Sequence, residues 1–119
     1  MKICVCENLN AKKPLAQSLA ELKAVGIEAV EIGAGGYPGK DHADPEILLN
    51  DEKAFEDWMN TIKESGLELA ALSCHGNCVH PDPAIAADFE KDFRNCVLLA
   101  FLFHFLFFYY KQLQQAIRN

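Results

Sequence analysis

Two cysteines and two histidines lie within seven consecutive residues, Cys74-His75-Gly76-Asn77-Cys78-Val79-His80. Thiolates and imidazoles at this density are ligands that zinc prefers. The cysteines are four positions apart rather than three, however, and no second pair follows them. This spacing does not match the common zinc patterns, so the sequence assigns no metal ligand here.

His75 is the histidine of this segment that we expect to contact a substrate. It ends an apolar run, and Gly76 beside it would let a ligand approach the backbone. A histidine that caps the loop and binds nothing is the alternative. We expect His80, which precedes a proline, to brace the loop.

Glu31 is a carboxylate inside an otherwise apolar run, Gly26-Ile27-Glu28-Ala29-Val30-Glu31-Ile32. A buried carboxylate costs free energy unless it is paired, so Glu31 should face a polar site or a neighbouring cation. The turn-rich loop that follows contains His42, a third candidate for ligand contact. The loop begins like a dinucleotide fingerprint, but Pro38 stands where the third glycine should be, which disfavours nucleotide binding.

A repeat of about forty residues predicts the elements that position these side chains. Gly66-Leu67-Glu68-Leu69-Ala70-Ala71-Leu72 resembles the run around Glu31, and each run follows an amphipathic segment. A glycine that closes a helix, followed by a short apolar run, is typical of one αβ step in a parallel sheet. Carboxyl ends of parallel strands share one edge, so Cys6 or Glu7, Glu31 and His75 should converge there.

The same pattern predicts the bounds of the strands and helices. Strands are expected over 2–6, 28–32 and 68–73. One helix should begin at Pro14 and a second at Asn50 or Asp51, the two ending at Gly26 and Gly66. The second should bury Phe55, Trp58, Met59 and Ile62. A third should begin at Asp82-Pro83, with Ile85, Phe89, Phe93 and Val97 on one side.

Composition narrows the class of protein. The chain has 119 residues and a net charge of −6, and it has no long basic run, which argues against a nucleic-acid partner. Five cysteines make an odd number, and no secretory signal precedes the first strand. We therefore expect free thiols and a cytoplasmic location.

The carboxyl-terminal residues break the pattern of the rest. Residues 101–110 hold five of the eight phenylalanines, and no Gly, Pro, Asp or Glu follows Asp92. The uncharged run 96–110 has 15 residues, fewer than the roughly 18–20 of a membrane-spanning helix. A membrane anchor and a buried element remain alternatives. We favour a departure from the parent sequence, by truncation or a change of reading frame, which divides the chain into residues 1–100 and a tail, 101–119.

The two loop segments "GIEAVEIGAGGYPGKDHADP" and "GLELAALSCHGNCVHPDP" resemble the amino-terminal part of the sugar phosphate isomerase/epimerase family, the xylose isomerase-like TIM barrels. The resemblance covers residues 1 to about 100 and differs at Cys78, where such proteins are expected to have a proline. It implies an α/β fold made of the first three βα units of an eight-fold barrel. It also implies a metal-dependent isomerase or epimerase, with manganese or magnesium as the cofactor.

In that family the metal ligands come from later strands, so none is transferred to this sequence. Glu31, His75 and His42 are expected to form a substrate-side wall for a sugar or sugar phosphate. No catalytic residue is assigned. We expect the chain alone to be inactive and prone to self-association through its open sheet edge. A non-catalytic remnant or small binding module, in one variant with a membrane-anchored tail, is the alternative.

Overall fold

The structure is a computed structural model that describes the backbone of residues 1–118 and the side chains of residues 1–106. The elements in chain order are β1 (Cys4–Cys6), a 3-10 helix (Glu7–Asn10), α1 (Leu15–Ala24), β2 (Ala29–Gly36), α2 (Pro45–Leu48), α3 (Glu52–Ser65), β3 (Glu68–His75) and α4 (Pro83–Arg118). Every strand and helix that the sequence predicts is present. The 3-10 helix and α2 are additions.

The three strands form one parallel sheet in the order β1-β2-β3. Val30, near the start of β2, lies opposite Val5 on one side and Leu69 on the other. This confirms the α/β class and the parallel arrangement. β2 and β3 extend further than predicted, to Gly36 and His75, because the glycine-rich continuation of β2 still pairs with β3 through a register shift.

Local signals explain why α3 begins and ends where it does. The Asp51 carboxylate caps the helix by accepting a hydrogen bond from the backbone N–H of Ala54 at 3.0 Å. At the other end Gly66 has a φ of 70°, in the left-handed region that glycine adopts without strain. Gly26, its counterpart in the repeat, has a φ of 89° after α1. Both glycines therefore end helices, as the repeat predicts.

The hydrophobic core lies on one face of the sheet. Val30, Ile32 and Ala34 alternate along β2 and are fully buried. They pack in one cluster with side chains from all the long helices, including Leu19 of α1, Phe55, Trp58 and Ile62 of α3, and Cys96 and Leu99 of α4. Since side chains of a strand alternate between faces, the residues between those of the core point away from the helices.

We call this second side the open face, defined by Cys4 and Cys6 of β1, Glu31 of β2, and Ala71, Ser73 and His75 of β3. Cys4, Cys6 and Ala71 are exposed and Glu31 is half-buried. In a closed barrel the corresponding side chains fill the interior. Closure into a barrel is not seen in this three-stranded sheet and stays a prediction.

α4 runs without a break through the predicted boundary between residues 100 and 101. Its side chains beyond Leu106 lie outside the described residues, and the proposed division of the chain stays a prediction. α4 buries Cys96 and Leu99, whereas three of the four residues expected on its apolar side are exposed, namely Ile85, Phe93 and Val97. The fourth, Phe89, packs against Tyr37, and Asp92 accepts a hydrogen bond from the Gly36 N–H, so α4 rests on the strand ends through these two residues.

Among the described residues, no helix combines the length and the apolar character needed to cross a bilayer.

Candidate functional site

Glu31 and His75 lie on the same face of the sheet, as the sequence predicts, but not side by side. Glu31 is level with Ala71, and His75 lies four residues further along β3. At about 3.3 Å per residue, this separates their levels by roughly 13 Å. They therefore do not form an acid–imidazole pair. They mark the two ends of a line along the seam between β2 and β3.

Ser73 lies on this line between Glu31 and His75, and the sequence reasoning missed it. It pairs with Gly33 in the sheet and is only 5% exposed. Among the described residues its hydroxyl is the one buried side-chain polar atom without a hydrogen-bond partner. Such an atom costs about 1–3 kcal/mol, so it calls for a partner from outside the chain, a water molecule or a ligand. We call Glu31, Ser73 and His75 the polar row.

Asn8 covers the carboxyl end of the open face beside Ser73. A Cβ at Gly33 would come within 2.8 Å of the Asn8 side chain, so glycine is what lets Asn8 lie there. The Asn8 amide accepts a hydrogen bond from the Gly33 N–H at 3.2 Å and donates one to the Pro38 carbonyl at 2.7 Å. Asn8 thereby fixes the loop after β2 over one end of the polar row.

His42 belongs to a different cluster, buried at the end of β1. Its Nδ1 lies 2.7 Å from the Glu7 carboxylate and its Nε2 lies 2.5 Å from the Lys13 carbonyl. Glu7 is 1% exposed and also accepts a hydrogen bond from the Ser18 hydroxyl. The backbone carbonyl of His42 in turn accepts a hydrogen bond from the Trp58 indole at 2.8 Å.

Both ring nitrogens of His42 are engaged. Nε2 donates a hydrogen bond to the Lys13 carbonyl, and Nδ1 is hydrogen-bonded to the Glu7 carboxyl group. Buried polar groups are stable only when they are hydrogen-bonded, and the Ser18 hydroxyl supplies a further bond to Glu7. We call Glu7, Ser18 and His42 the buried cluster. It holds the long loop against α1 and leaves neither ring nitrogen of His42 free for a substrate.

The beginning of α4 closes over the ends of β2 and β3. The Asp92 carboxylate accepts a hydrogen bond from the Gly36 N–H at 2.9 Å, and Lys40 lies 3.8 Å from the same carboxylate. A Cβ at Gly76 would fall 2.1 Å from the ring of Phe89. Gly76 thus makes room for Phe89 rather than for a ligand, which corrects the expectation from the sequence. His75 itself remains exposed.

The metal implied by the family resemblance does not fit the described residues. They contain no group of three His, Cys, Asp or Glu side chains placed to hold a cation. On the open face Glu31 is the single carboxylate among the residues that define it, and its neighbours across the sheet are Cys6 and Ala71. No chemical step of this chain is therefore derived through manganese or magnesium.

The members of the buried cluster other than His42 were not identified as a group from the sequence. The signal for Glu7 was weak: an acidic residue directly after a short strand, at the edge where chemistry collects in parallel sheets. Ser18 is a lone hydroxyl beside the apolar residues of α1, and Ser73 alternates with Leu72 and Cys74 in β3. Period-two alternation would have selected Ser73 once β3 was extended to His75.

No family model, no curated protein and no solved structure matches this chain.

Proposed function

We propose that this chain forms the substrate-side wall of a sugar or sugar-phosphate isomerase or epimerase. The observation that carries the proposal is the polar row. Glu31 and His75 flank the buried Ser73 hydroxyl along one face of a parallel sheet, towards the strand ends at which ligands bind in parallel α/β folds. The likeness of the two loop segments to the xylose isomerase-like barrels supplies the substrate class.

Each member of the polar row suits a hydroxyl-rich ligand. The Glu31 carboxylate accepts hydrogen bonds from sugar hydroxyls, and the His75 imidazole can donate to a hydroxyl or carbonyl oxygen. Ser73 has an unmet hydrogen bond that a ligand hydroxyl or a bridging water would satisfy. These residues bind and orient the substrate. The groups that move the proton or hydride, and any metal, would come from further barrel strands.

The proposal includes a cytoplasmic location, which the free thiols of all five cysteines support. It also includes the expectation that the chain alone does not turn over an aldose or ketose, since it presents one wall of the site. Turnover by the purified chain with added manganese would contradict that expectation.

Ligand-observed NMR with a panel of aldoses, ketoses and their phosphates tests binding directly. We expect saturation transfer to at least one sugar at about millimolar affinity, which corresponds to roughly −4 kcal/mol. Glu31→Gln should weaken that binding about tenfold, or roughly 1.4 kcal/mol. Glu56→Gln, on the exposed side of α3, is the matched control and should bind as the wild type does. Absence of transfer to every sugar, or equal loss in both variants, would refute the proposal.

A non-catalytic remnant or a small binding module is the second candidate. The observation that favours it is the same polar row in a chain whose described residues offer no metal-holding group. The nucleotide sequence downstream of codon 100 separates the two. Another frame that encodes acidic, glycine-containing βα units supports the enzyme, whereas a coding sequence with no such continuation supports the remnant.

A further inference from the structure

Two of the five cysteines form a pair on β1. Cys4 and Cys6 are separated by one residue, both are exposed, and both belong to the open face. The other three thiols lie apart from this pair: Cys96 is buried in the core, Cys74 packs against the core, and Cys78 is exposed in the loop after β3. Because side chains two positions apart in a strand share a face, β1 presents two accessible thiols in the same direction.

The spacing of the pair disfavours a disulfide bond. With a rise of about 3.3 Å per residue, positions two apart in a strand are separated by roughly 6.6 Å, and their Cβ atoms project in parallel. A disulfide needs Cβ atoms about 3.5–4.5 Å apart, so β1 would have to leave the sheet to close one. The sheet holds β1 in place, because all of its residues pair in register with β2, from Cys4 opposite Ala29 to Cys6 opposite Glu31.

The same spacing fits one metal ion between the two sulfurs. A metal–sulfur bond to thiolate is about 2.3 Å long, so an ion held in line by two thiolates separates the sulfurs by about 4.6 Å. Each sulfur then needs to lie roughly 1 Å inward of its Cβ, which a choice of χ1 rotamer supplies. Cys4 and Cys6 can therefore chelate an ion without any movement of the backbone.

The number of ligands selects the class of ion. A structural zinc ion takes four ligands, and among the described residues no third His, Cys, Asp or Glu joins the pair in a group that could hold a cation. Glu31 is level with Cys6 across the sheet, but a carboxylate is a hard ligand that suits magnesium, calcium or manganese. Two thiolates alone suit a soft ion of low coordination number, and Cu(I) is the soft ion that thiolates select.

We propose that Cys4 and Cys6 form a two-thiolate binding site for Cu(I) on the open face. Binding forms two copper–sulfur bonds and releases the two thiol protons to solvent. Copper enters and stays as Cu(I), so no electron is transferred and no co-reactant is needed. The site does not rest on the proposed sugar binding, because neither cysteine belongs to the polar row.

Competition with bicinchoninate, whose Cu(I) complex absorbs visible light, measures the binding. The full chain is titrated anaerobically in the presence of ascorbate, and we expect the wild type to withdraw one equivalent of Cu(I). Cys4→Ser and Cys6→Ser each leave a single thiolate in place of a chelate, so the affinity should fall at least about 100-fold. Cys78→Ser removes another exposed thiol and is the matched control, which should bind copper as the wild type does.

Two further measurements keep the test decisive. Circular dichroism checks that each variant is folded, and Cys4→Ala and Cys6→Ala replace the serine variants if those fail to fold. X-ray absorption at the copper edge should show two sulfur neighbours. A wild type that withdraws no copper overturns the proposal, as does uptake that survives in both serine variants and is thus due to other thiols. Dimerisation on adding copper, with one ion for two chains in sedimentation equilibrium, would contradict a site within one chain.

Discussion

The buried cluster and the polar row contain the same chemical groups in opposite conditions. Each has one glutamate, one serine and one histidine. In the buried cluster Glu7, Ser18 and His42 are bonded to one another or to the backbone. In the polar row the three side chains lie at different levels of the seam, and the serine hydroxyl is buried without a partner. Residue type alone therefore does not identify a site; the number of unmet hydrogen bonds does.

The same contrast distinguishes His42 from His75. A histidine whose two nitrogens are engaged and whose side chain is 7% exposed stabilises the fold. His75 ends its strand in solvent, with its backbone carbonyl bonded to the N–H of Tyr37 at 2.7 Å. The sequence could not distinguish His42 from His75, since each follows a strand in a polar loop.

The largest effect should come from breaking the buried cluster. Glu7→Gln replaces the carboxyl group that is bonded to both Ser18 and His42. Leaving a buried polar group without its partner costs about 1–3 kcal/mol in the free energy of unfolding. Glu21→Gln is the matched control, because Glu21 makes an exposed pair with Lys13 that solvent screens, so its loss should leave the unfolding midpoint nearly unchanged. Urea denaturation of both variants measures the difference. Equal midpoints would show that the cluster is not structural.

Cysteine reactivity should distinguish the two faces of the sheet. Burial raises the pKa of the Cys96 thiol to about 11, and burial and then the Asp92 carboxylate raise the pKa of Cys74. Cys4 and Cys6 are exposed on the open face. Alkylation with iodoacetamide at pH 8, followed by mass spectrometry, should modify the exposed Cys4 and Cys6 first and Cys96 last, because Cys96 is buried and its pKa is raised. Protection of Cys4 and Cys6 from alkylation would show that the open face is covered.

The same pKa shift predicts a dependence of stability on pH. A thiol whose pKa is raised in the folded state stabilises the fold fully below its unfolded pKa of about 9, and this contribution is lost as the pH rises towards 11. Thermal unfolding of the wild type should therefore move to lower temperature between these values. Cys96→Ala should show less of this change.

His75→Asn should change binding without changing stability. The imidazole is exposed, so its loss should shift the free energy of unfolding by no more than about 0.5 kcal/mol. Loss of its hydrogen bond to a sugar should weaken binding about tenfold, roughly 1.4 kcal/mol. Isothermal titration with the sugar found by NMR measures this, and His42→Asn, expected to destabilise the fold, is the contrasting variant. Unchanged affinity would remove His75 from the site.

The smallest effect should come from Ser73→Ala. This change removes a buried hydroxyl that has no partner in the chain, so stability should stay the same or rise by up to about 1 kcal/mol. Affinity for the sugar should fall, because the ligand or its bridging water loses a contact. A loss of stability would show instead that the hydroxyl is already satisfied by water in the free protein.

Local signals predicted the elements that depend on neighbouring residues. Asp51 and Gly66 fixed both ends of α3, and the repeat placed the strands. The sequence did not predict how far β2 continues, because its last residues are held by pairing with β3 rather than by their own propensity. The exposed side of α4 was missed for a similar reason. α4 rests on the strand ends through Phe89 and Asp92, whose partners Tyr37 and Gly36 are far away in sequence.

The candidate site was predictable in part. Glu31 stood out because a carboxylate in an apolar strand needs an explanation, and His75 because it follows a strand. The role of His42 depends on Glu7, which is 35 residues earlier, and no local pattern shows that they meet. Ser73 was overlooked because a serine in a strand is chemically ordinary until its missing hydrogen bond is seen.

Mapping of backbone amide shifts during a sugar titration tests the central claim most directly. In ¹H–¹⁵N spectra of the full chain, the polar row should respond: the amides of Glu31, Ser73 and His75 should shift together along one binding isotherm. The amides of Glu7, Ser18 and His42 should not move, since the buried cluster has no free hydrogen-bonding group to offer. Shifts confined to the buried cluster, or none in the polar row at saturating sugar, would contradict the account.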